Sequence, residues 1–265
     1  MQNILVPVSP NENAVNTLQY AIDFASYLDA NIFLVNIFSS TKISGSFVKI
    51  DDIFERESKN FLEELLESVD RKGVSIRKVS FKSYDTFDSI NGFCSLNTID
   101  LIITSTKNDA SSENIFLGKV TGKMVKDLLT PVLIIPSTAS FKPVKKVLLA
   151  IKRGKIKSKK TLDILQKIKN NFSAEISLIQ VKTPKVDKSK LKLNSTLKGM
   201  INKATLTENA TVFQGILEFI RVEDPDMICV IRRKRGFFKK LWEDDKVKKI
   251  DFESKIPLLV LKGKP

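Results

Sequence analysis

Polar side chains that could bind an anion follow one of the apolar segments of this chain. They are Thr104, Ser105, Thr106 and Asn108, and Gly118-Lys119 comes ten residues after the last of them. Hydroxyl and amide groups donate hydrogen bonds, and a lysine meets phosphate as a point charge. The pattern therefore suits a phosphate-bearing ligand. The alternative is an ordinary polar connection between two elements.

A second candidate is the dense basic segment near the end of the chain. It reads Arg232-Arg233-Lys234-Arg235-Gly236-Phe237-Phe238-Lys239-Lys240. Its first four residues are candidate anion-binding groups, and its aromatic rings could stack on bases or enter acyl chains. The alternative is a solvated loop whose Phe237 and Phe238 pack back onto the body of the protein with Leu241 and Trp242.

Composition excludes several kinds of catalytic site. The 265 residues include no histidine, which excludes Ser-His-Asp triads, Cys-His dyads and histidine-based zinc sites. Cys94 and Cys229 are too few for a disulfide framework or a four-thiolate metal site, and both are expected to be buried small hydrophobic residues. With only ten glycines, glycine-rich phosphate loops are scarce.

Carboxylates between residues 51 and 67 recur at helical spacing. They are Asp51, Asp52, Glu55, Glu57, Glu63, Glu64 and Glu67. They lie opposite an apolar stripe that includes Phe54, Phe61 and Leu65, so the pattern predicts the solvated face of a helix rather than a metal or acid–base site.

Charge divides the chain into two halves. Residues 1–137 carry 13 basic and 17 acidic side chains, a net of −4, whereas residues 138–265 carry 31 and 13, a net of +18. The seam reads Pro136-Ser137-Thr138-Ala139-Ser140-Phe141-Lys142-Pro143, which is typical of a short linker. We therefore predict two domains, 1–137 and 144–265, joined by a linker over 138–143.

The two halves also share a pattern, which indicates a duplicated domain. Asp100 opens the run Leu101-Ile102-Ile103, and Pro131 opens another run 31 residues later. Asp226 and Pro257 stand in the same relation, again 31 residues apart. The repeat exceeds 120 residues, which is too long for a solenoid unit.

Strand-like and helical segments alternate within each half. Strands are predicted near 3–8, 31–38, 74–81, 100–104 and 131–135, and again near 145–151, 175–181, 203–208, 226–231 and 257–262. Helical stripes separate them, with one helix near 116–129 and a shorter one within 186–199. Continuous apolar strands alternating with helices predict an α/β fold with a parallel sheet that is covered on both faces.

This order of elements resembles the universal stress protein family in its tandem form. The resemblance is carried by the opening Asn3-Ile4-Leu5-Val6-Pro7-Val8, the Asp100 run and the closing Thr130-Pro131-Val132-Leu133-Ile134-Ile135-Pro136. It implies two tandem open five-stranded parallel sheets with helices on both faces, Rossmann-like and similar to adenine nucleotide alpha-hydrolases. It also implies a nucleotide crevice at the carboxyl ends of strands one and four, a location that the general rule for such sheets supports. In this family the last strand of a domain commonly pairs across a dimer interface. The resemblance therefore implies that the two domains pair within one chain, and a homodimer is a further candidate.

The resemblance also implies an ATP signature, which is a glycine, two residues, a second glycine, nine residues, and then Gly-Ser or Gly-Thr. Counting back from Pro131 places Ser105 and Asn108 at the first two glycines and Gly118-Lys119 at the final pair. Only Gly118 is retained. Glycines let backbone N–H groups approach phosphate closely, so their loss weakens a phosphate site.

Elsewhere in the crevice the match is mixed. The family's aspartate after the first strand is Ser9 here, while Pro7 and Val120 match. The candidate nucleotide-binding residues are Pro7, Ser9, Thr104, Ser105, Asn108, Gly118, Lys119 and Val120. In the second half, the count from Pro257 reaches Ile231, Lys234, Asp244 and Asp245. Carboxylates there would repel phosphate.

These patterns favour a non-catalytic stress-response or regulatory protein whose ATP crevice in the first domain is degenerate, with binding weak or lost. A nucleic-acid or anionic-surface binding protein that uses the basic second domain is one alternative, and a weak ATPase is the other. ATP is the cofactor candidate, and no metal is expected. The apolar runs are too short for a membrane span, and no signal pattern opens the sequence, so a cytoplasmic location is expected.

Overall fold

A computed structural model of the chain describes residues 2–39, 50–106, 119–151, 156, 158–182, 193, 195–210, 212–232 and 256–263. These residues belong to two compact units, of which the first ends at Val132 and the second begins at Leu133. Among the described helices, none is long and apolar enough to cross a membrane.

The first unit alternates strands and helices from its first element onward. The elements are β1 (Asn3–Val8), α1 (Ala14–Ser26), β2 (Asn31–Phe38), α2 (Ile50–Glu67), β3 (Ile76–Lys82), α3 (Thr86–Leu96), β4 (Leu101–Ser105) and α4 (Lys119–Asp127). The next strand along the chain, β5 (Val132–Ile135), begins at the last residue of this unit. Neighbouring strands follow the order β3-β2-β1-β4, and β1 pairs in parallel with both β2 and β4. The Ile102 N–H of β4 donates to the carbonyl of Pro131, immediately before β5.

The second unit repeats this order. Its elements are β6 (Lys146–Ala150), a 3-10 turn (Lys159–Leu162) that runs into α5 (Asp163–Phe172), β7 (Glu175–Lys182), α6 (Ser195–Lys198), β8 (Lys203–Glu208), α7 (Val212–Glu223), β9 (Met227–Arg232) and β10 (Leu258–Lys262). The strand order is β10-β9-β6-β7-β8, and every pair is parallel. The alternation of parallel strands with helices confirms the predicted α/β class.

The central strands form the core because both of their faces are covered. Consecutive residues Ile4, Leu5 and Val6 of β1 have no exposed surface, and the run 101–103 of β4 is equally buried. In the second unit, Leu148 and Leu149 are buried in the same way. Side chains of a strand alternate between the two faces, so burial of neighbours requires cover on both sides. Each such side chain contributes roughly 1.5–3 kcal/mol through its burial.

An aspartate-to-backbone clamp recurs in both units. The Asp100 carboxylate accepts hydrogen bonds from the backbone N–H groups of Gln2 (2.7 Å) and Asn3 (3.3 Å) at the start of β1. The Asp226 carboxylate accepts from Lys145 (2.8 Å) and Lys146 (2.9 Å) at the start of β6. The acidic residue that opens each repeated run therefore fastens the first strand of its unit beside the fourth.

The backbone around each clamp repeats as well. Thr98 and Asp224, each two residues before its aspartate, have φ values of 50° and 43°. Left-handed backbone is uncommon for residues other than glycine, so the same rare conformation at matching positions supports the duplication. The N–H of Ile228 also donates to the carbonyl of Pro257, as Ile102 does to Pro131.

Helix α2 exposes the predicted acidic face. All seven carboxylates named above are exposed, and lysines pair with some of them. Lys59 contacts Glu55 and Lys82 contacts Asp51, both at 2.6 Å, and Lys78 contacts Glu63. Because exposed ion pairs contribute little to stability, the apolar face of α2 against β2 and β3 is what holds the helix in place.

Candidate functional site

The carboxyl ends of β1 and β4 lie side by side at one edge of the first sheet. The two strands are parallel neighbours, with Ile4 opposite Leu101 and Leu5 opposite Ile102. Residues that follow these strands therefore emerge at the same edge, where ligands of open parallel sheets bind. We call this place the crevice of the first unit.

The turn after β1 forms the first wall of the crevice. Asn11 closes this turn with its side-chain amide: its Nδ2 donates to Ser9 Oγ at 3.0 Å, and its Oδ1 accepts from the Asn13 N–H at 2.9 Å. Pro7 precedes the turn within β1, in register with Val35. Ser9 is exposed, but its hydroxyl is already an acceptor for a neighbour, and it lacks the carboxylate that could accept from two ribose hydroxyls.

Asn13 joins the first wall to the segment after β4. Its side chain is 9% exposed, and its Nδ2 lies 3.5 Å from the carbonyl of Thr106. Asn13 occupies the N-cap position of α1 but makes no capping hydrogen bond with its side chain. The amide is used between the two walls instead, so this asparagine shapes the crevice rather than the helix end.

The end of β4 forms the second wall. Thr104 is 6% exposed, and Ser105 is half-buried at the last position of the strand. Asn108 and Gly118 lie outside the described residues. Lys119 begins α4, but its side chain is likewise outside the description, whereas Val120 is 37% exposed.

The structure thus places Pro7, Ser9, Thr104 and Ser105 at one edge of the first sheet, and their role in nucleotide binding stays a prediction. Sequence reasoning did not identify Asn11 and Asn13 as crevice residues, and their signal was a pair of amides spaced two apart just after an apolar strand. It also did not identify Asn36, which is 4% exposed within β2. The signal for Asn36 was one amide inside the otherwise apolar run Ile32-Phe33-Leu34-Val35.

Most of the predicted anion-binding segment lies outside the described residues. Arg233, Lys234 and Arg235 belong to the part that is not described. Arg232 is the last residue of β9, half-buried and in register with Lys262, and its carbonyl accepts from the Gly263 N–H at 2.9 Å. Arg232 is therefore part of a strand ladder, and nucleic-acid binding by this segment stays a prediction.

Both cysteines are buried, as the sequence indicated. Cys94 lies in α3 and Cys229 in β9. Burial raises the pKa of the Cys94 thiol to about 11, against an opposing hydrogen bond with Thr130, and burial alone raises the pKa of Cys229 still further. The thiolate is the reactive form, so neither thiol suits nucleophilic chemistry at neutral pH. Among the described residues, no cluster of three or more cysteine or acidic side chains could hold a metal ion.

We expect both thiols to resist modification while the protein is folded. At about pH 8, a thiol with a pKa raised by two units presents about a hundredfold less thiolate, and burial restricts access further. Titration with Ellman's reagent should give almost no thiol signal in buffer and two equivalents after unfolding in guanidinium chloride. Rapid reaction of one thiol in buffer would contradict the burial of that cysteine.

Comparisons with known proteins agree with the fold. A model of the universal stress protein family matches residues 1–136. A universal stress protein of Methanocaldococcus jannaschii is 22% identical over 139 residues, which cover 51% of this chain and 81% of that protein.

Two solved structures extend the similarity to the whole chain. The crystal structure of a universal stress protein from Archaeoglobus fulgidus covers 98% of both chains, with a TM-score of 0.74 and 18% identity. That of a functionally unknown protein from Pseudomonas aeruginosa covers 99% of this chain and 92% of its own, with a TM-score of 0.62 and 14% identity. At these identities the structural matches show the fold alone, and they confirm the predicted Rossmann-like α/β fold.

Proposed function

Because the chain belongs to the universal stress protein family, we propose that it is a non-catalytic regulatory protein of the stress response, with a degenerate adenine-nucleotide crevice in its first unit. In this proposal ATP binds weakly or binding has been lost. The observation that carries it is the closed turn at Ser9, where the position expected to bind ribose offers one hydroxyl, which already accepts from the Asn11 amide, in place of a carboxylate.

The phosphate end of the crevice supports the same proposal. Ser105 lies at the position of the first signature glycine and is the last residue of β4, so this position carries a side chain. A side chain at this position keeps a phosphate from approaching the backbone N–H groups as closely as glycine allows. A lysine supplies charge, but a single point charge does not replace a backbone cradle.

The chemistry of the available side chains supports a non-catalytic role. General acid–base catalysis at neutral pH needs a group that titrates nearby, and the chain contains no histidine. The thiols are buried with raised pKa values. The described crevice side chains, Ser9, Asn11, Asn13, Thr104 and Ser105, are hydroxyls and amides, which donate and accept hydrogen bonds without titrating in this range.

Nucleotide binding can be measured directly. We expect the purified protein to release no stoichiometric adenine nucleotide on denaturation, as judged by mass spectrometry, and calorimetry with ATP to give a Kd weaker than about 1 mM. Lys119→Ala and Gly118→Val should abolish any residual binding. Ser9→Asp combined with Ser105→Gly should strengthen binding by about tenfold, or ~1.4 kcal/mol, because the pair restores a ribose acceptor and close backbone approach.

Thr196→Ala is a suitable control, since it removes a hydroxyl that belongs to the second unit and not to the first. Stoichiometric ATP in the purified wild-type protein would overturn the degenerate crevice.

Further parts of the proposal are supported by sequence patterns and by family membership rather than by the described geometry. They are domains at 1–137 and 144–265 with a linker at 138–143, pairing of the two domains with a homodimer as the further candidate, and a cytoplasmic location. Light scattering coupled to size-exclusion chromatography tests the oligomeric state.

A further inference from the structure

A buried chain of hydrogen bonds connects α2 to the end of β1. Asn36 Nδ2 donates to the carbonyl of Val8 at 2.8 Å. Ser58 Oγ donates to Asn36 Oδ1 at 2.5 Å, and Ser58 Oγ lies 2.6 Å from Ser80 Oγ. We call Asn36, Ser58 and Ser80 the polar relay. It joins one residue from each of β2, α2 and β3 to the last residue of β1.

The direction of the relay follows from donor counts. A serine hydroxyl has one proton, and that of Ser58 is given to Asn36, so the Ser80 hydroxyl must donate to Ser58. The carbonyl of Val8 can only accept, which fixes the Asn36 amide with its Nδ2 toward β1 and its oxygen toward α2. The direction of each hydrogen bond therefore depends on its neighbour, and no single bond of the relay can exchange its donor and acceptor alone.

Burial makes the relay sensitive to loss of Asn36 or Ser58, whereas Ser80 is half-buried. Asn36 and Ser58 are 4% and 5% exposed, so water does not readily replace a missing partner. Removing the Ser58 hydroxyl would leave Asn36 Oδ1 without its donor and the Ser80 hydroxyl without its acceptor. An unsatisfied buried polar group is more unfavourable than the hydrogen bond itself is favourable.

The relay ends at the crevice of the first unit. Val8 is in register with Asn36 and directly precedes Ser9 and the turn that Asn11 closes. Holding the Val8 carbonyl therefore fixes the backbone from which the first wall of the crevice departs. A shift of α2 against β2 and β3 would alter the same hydrogen bond from the other end.

Among the residues that the structure describes, the second unit does not repeat this relay at the matching strand position. The position that matches Asn36 is Gln180. Asn3, which opens β1, is in register with Asn31, and Asn36 lies five residues later. Lys146, which opens β6, is in register with Glu175, and Gln180 likewise lies five residues later. Gln180 lies in register with Leu206, as Asn36 lies in register with Ser80. Leu206 has no hydroxyl to act as Ser80 does in the first unit. The second unit thus keeps a buried amide, Gln180, but not the hydroxyl beside it.

We propose that Asn36, Ser58 and Ser80 are positioning residues that couple α2 to the nucleotide crevice of the first unit, an inference that rests on the function proposed above. Asn36 acts on the crevice through the Val8 carbonyl, and the two serines act through Asn36. Occupation of the crevice and a displacement of α2 are thereby linked, and the described strand position that matches Asn36 in the second unit does not repeat the link.

Hydrogen exchange of the full chain tests the relay without a ligand. In Ser58→Ala and Ser80→Ala, we expect the backbone amides within residues 8–13, where only Pro10 has no N–H, to exchange about tenfold faster than in wild type because a hydrogen bond of the relay is lost. Asn36→Leu should do the same or more. Gln180→Leu is the matched control in the second unit, and it should leave residues 8–13 unchanged.

A double-mutant cycle distinguishes a relay from general loosening. The effect of Ser80→Ala on residues 8–13 should vanish when Asn36 is already leucine, because the serines act through that amide. If Asn36→Leu does not fold, the Ser58→Ala background serves the same purpose. Two results would overturn the proposal. One is unchanged exchange of residues 8–13 in Ser58→Ala, and the other is an undiminished effect of Ser80→Ala in the Asn36→Leu or Ser58→Ala background.

ATP titration of the same variants separates this inference from the proposed function. If the wild-type protein binds ATP weakly, Ser58→Ala should weaken that binding about tenfold further, whereas Gln180→Leu should not change it. If the wild-type protein binds no ATP, the weak-binding form of the proposed function fails. The relay is then still decided by the exchange of residues 8–13.

Discussion

Replacing Asp226 by alanine is expected to lower the free energy of unfolding by about 2–3 kcal/mol. The carboxylate accepts two backbone hydrogen bonds, 2.8 Å from Lys145 and 2.9 Å from Lys146, that fasten β6 beside β9. Charge-assisted hydrogen bonds of this kind are stronger than neutral ones, and alanine would leave both donors without a protein partner. Urea unfolding followed by circular dichroism measures the change.

A graded series tests the mechanism of this clamp. Asp226→Asn keeps one acceptor oxygen and loses the charge, so the expected loss is smaller, about 1 kcal/mol. Asp100→Ala removes the equivalent clamp in the first unit, with a smaller loss than Asp226→Ala because its second bond is longer, at 3.3 Å. Equal stability of Asp226→Ala and wild type would show that the clamp contributes nothing.

The second large effect is expected at Gly215, a buried glycine in α7. A Cβ at this position would lie 2.7 Å from Val181 Cγ1, 2.9 Å from Val181 Cγ2 and 3.3 Å from Asn209 Cβ. Valine is branched at Cβ and has little rotamer freedom, so it cannot easily move aside. Gly215→Val should therefore lower the free energy of unfolding by about 3 kcal/mol through overpacking, although the helix propensity improves.

Two comparisons isolate the contact between α7 and β7. In Gly92→Ala of α3, an added Cβ has nothing within 4 Å, so this variant should gain about 0.5–1 kcal/mol from helix propensity alone. Gly215→Ala should destabilise when Val181 is present and much less when Val181 is replaced by alanine, which removes the γ-methyl groups. If the effects of Gly215→Ala and Val181→Ala on the free energy of unfolding simply add, the close approach to Val181 is not what makes a side chain at position 215 unfavourable.

The fold could be predicted from the sequence because its signals are local. The strand predicted over 31–38 is β2 at Asn31–Phe38, and that over 203–208 is β8 at Lys203–Glu208. Residue types and spacing within each segment predict a strand whether it is largely buried, like β2, or largely exposed, like β8, and the helical stripes between the strands are equally local. The strand predicted over 74–81 is Ile76–Lys82, where side chains on an exposed edge give a weaker signal.

The candidate site was only partly predictable. Counting back from Pro131 identified Ser105, and the position after the first strand identified Ser9, as departures from a nucleotide signature. Both comparisons need positions along the chain and no contacts. Neither could identify Asn11 as the residue that engages Ser9, because that depends on how the turn after β1 closes. The aspartate of each repeated run was read as a marker of duplication, whereas its carboxylate holds a strand about 80–100 residues away along the chain.

The sequence by itself determined the α/β class, the duplication, the burial of both cysteines and the exclusion of histidine chemistry. Each of these depends on residue type or on spacing within one element. Only the tertiary structure decided that Asn36, Ser58 and Ser80 form a relay and that Gln180 with Leu206 does not. The physical reason is register: the strands and α2 must align before a hydroxyl and an amide 22 residues apart come within hydrogen-bonding distance.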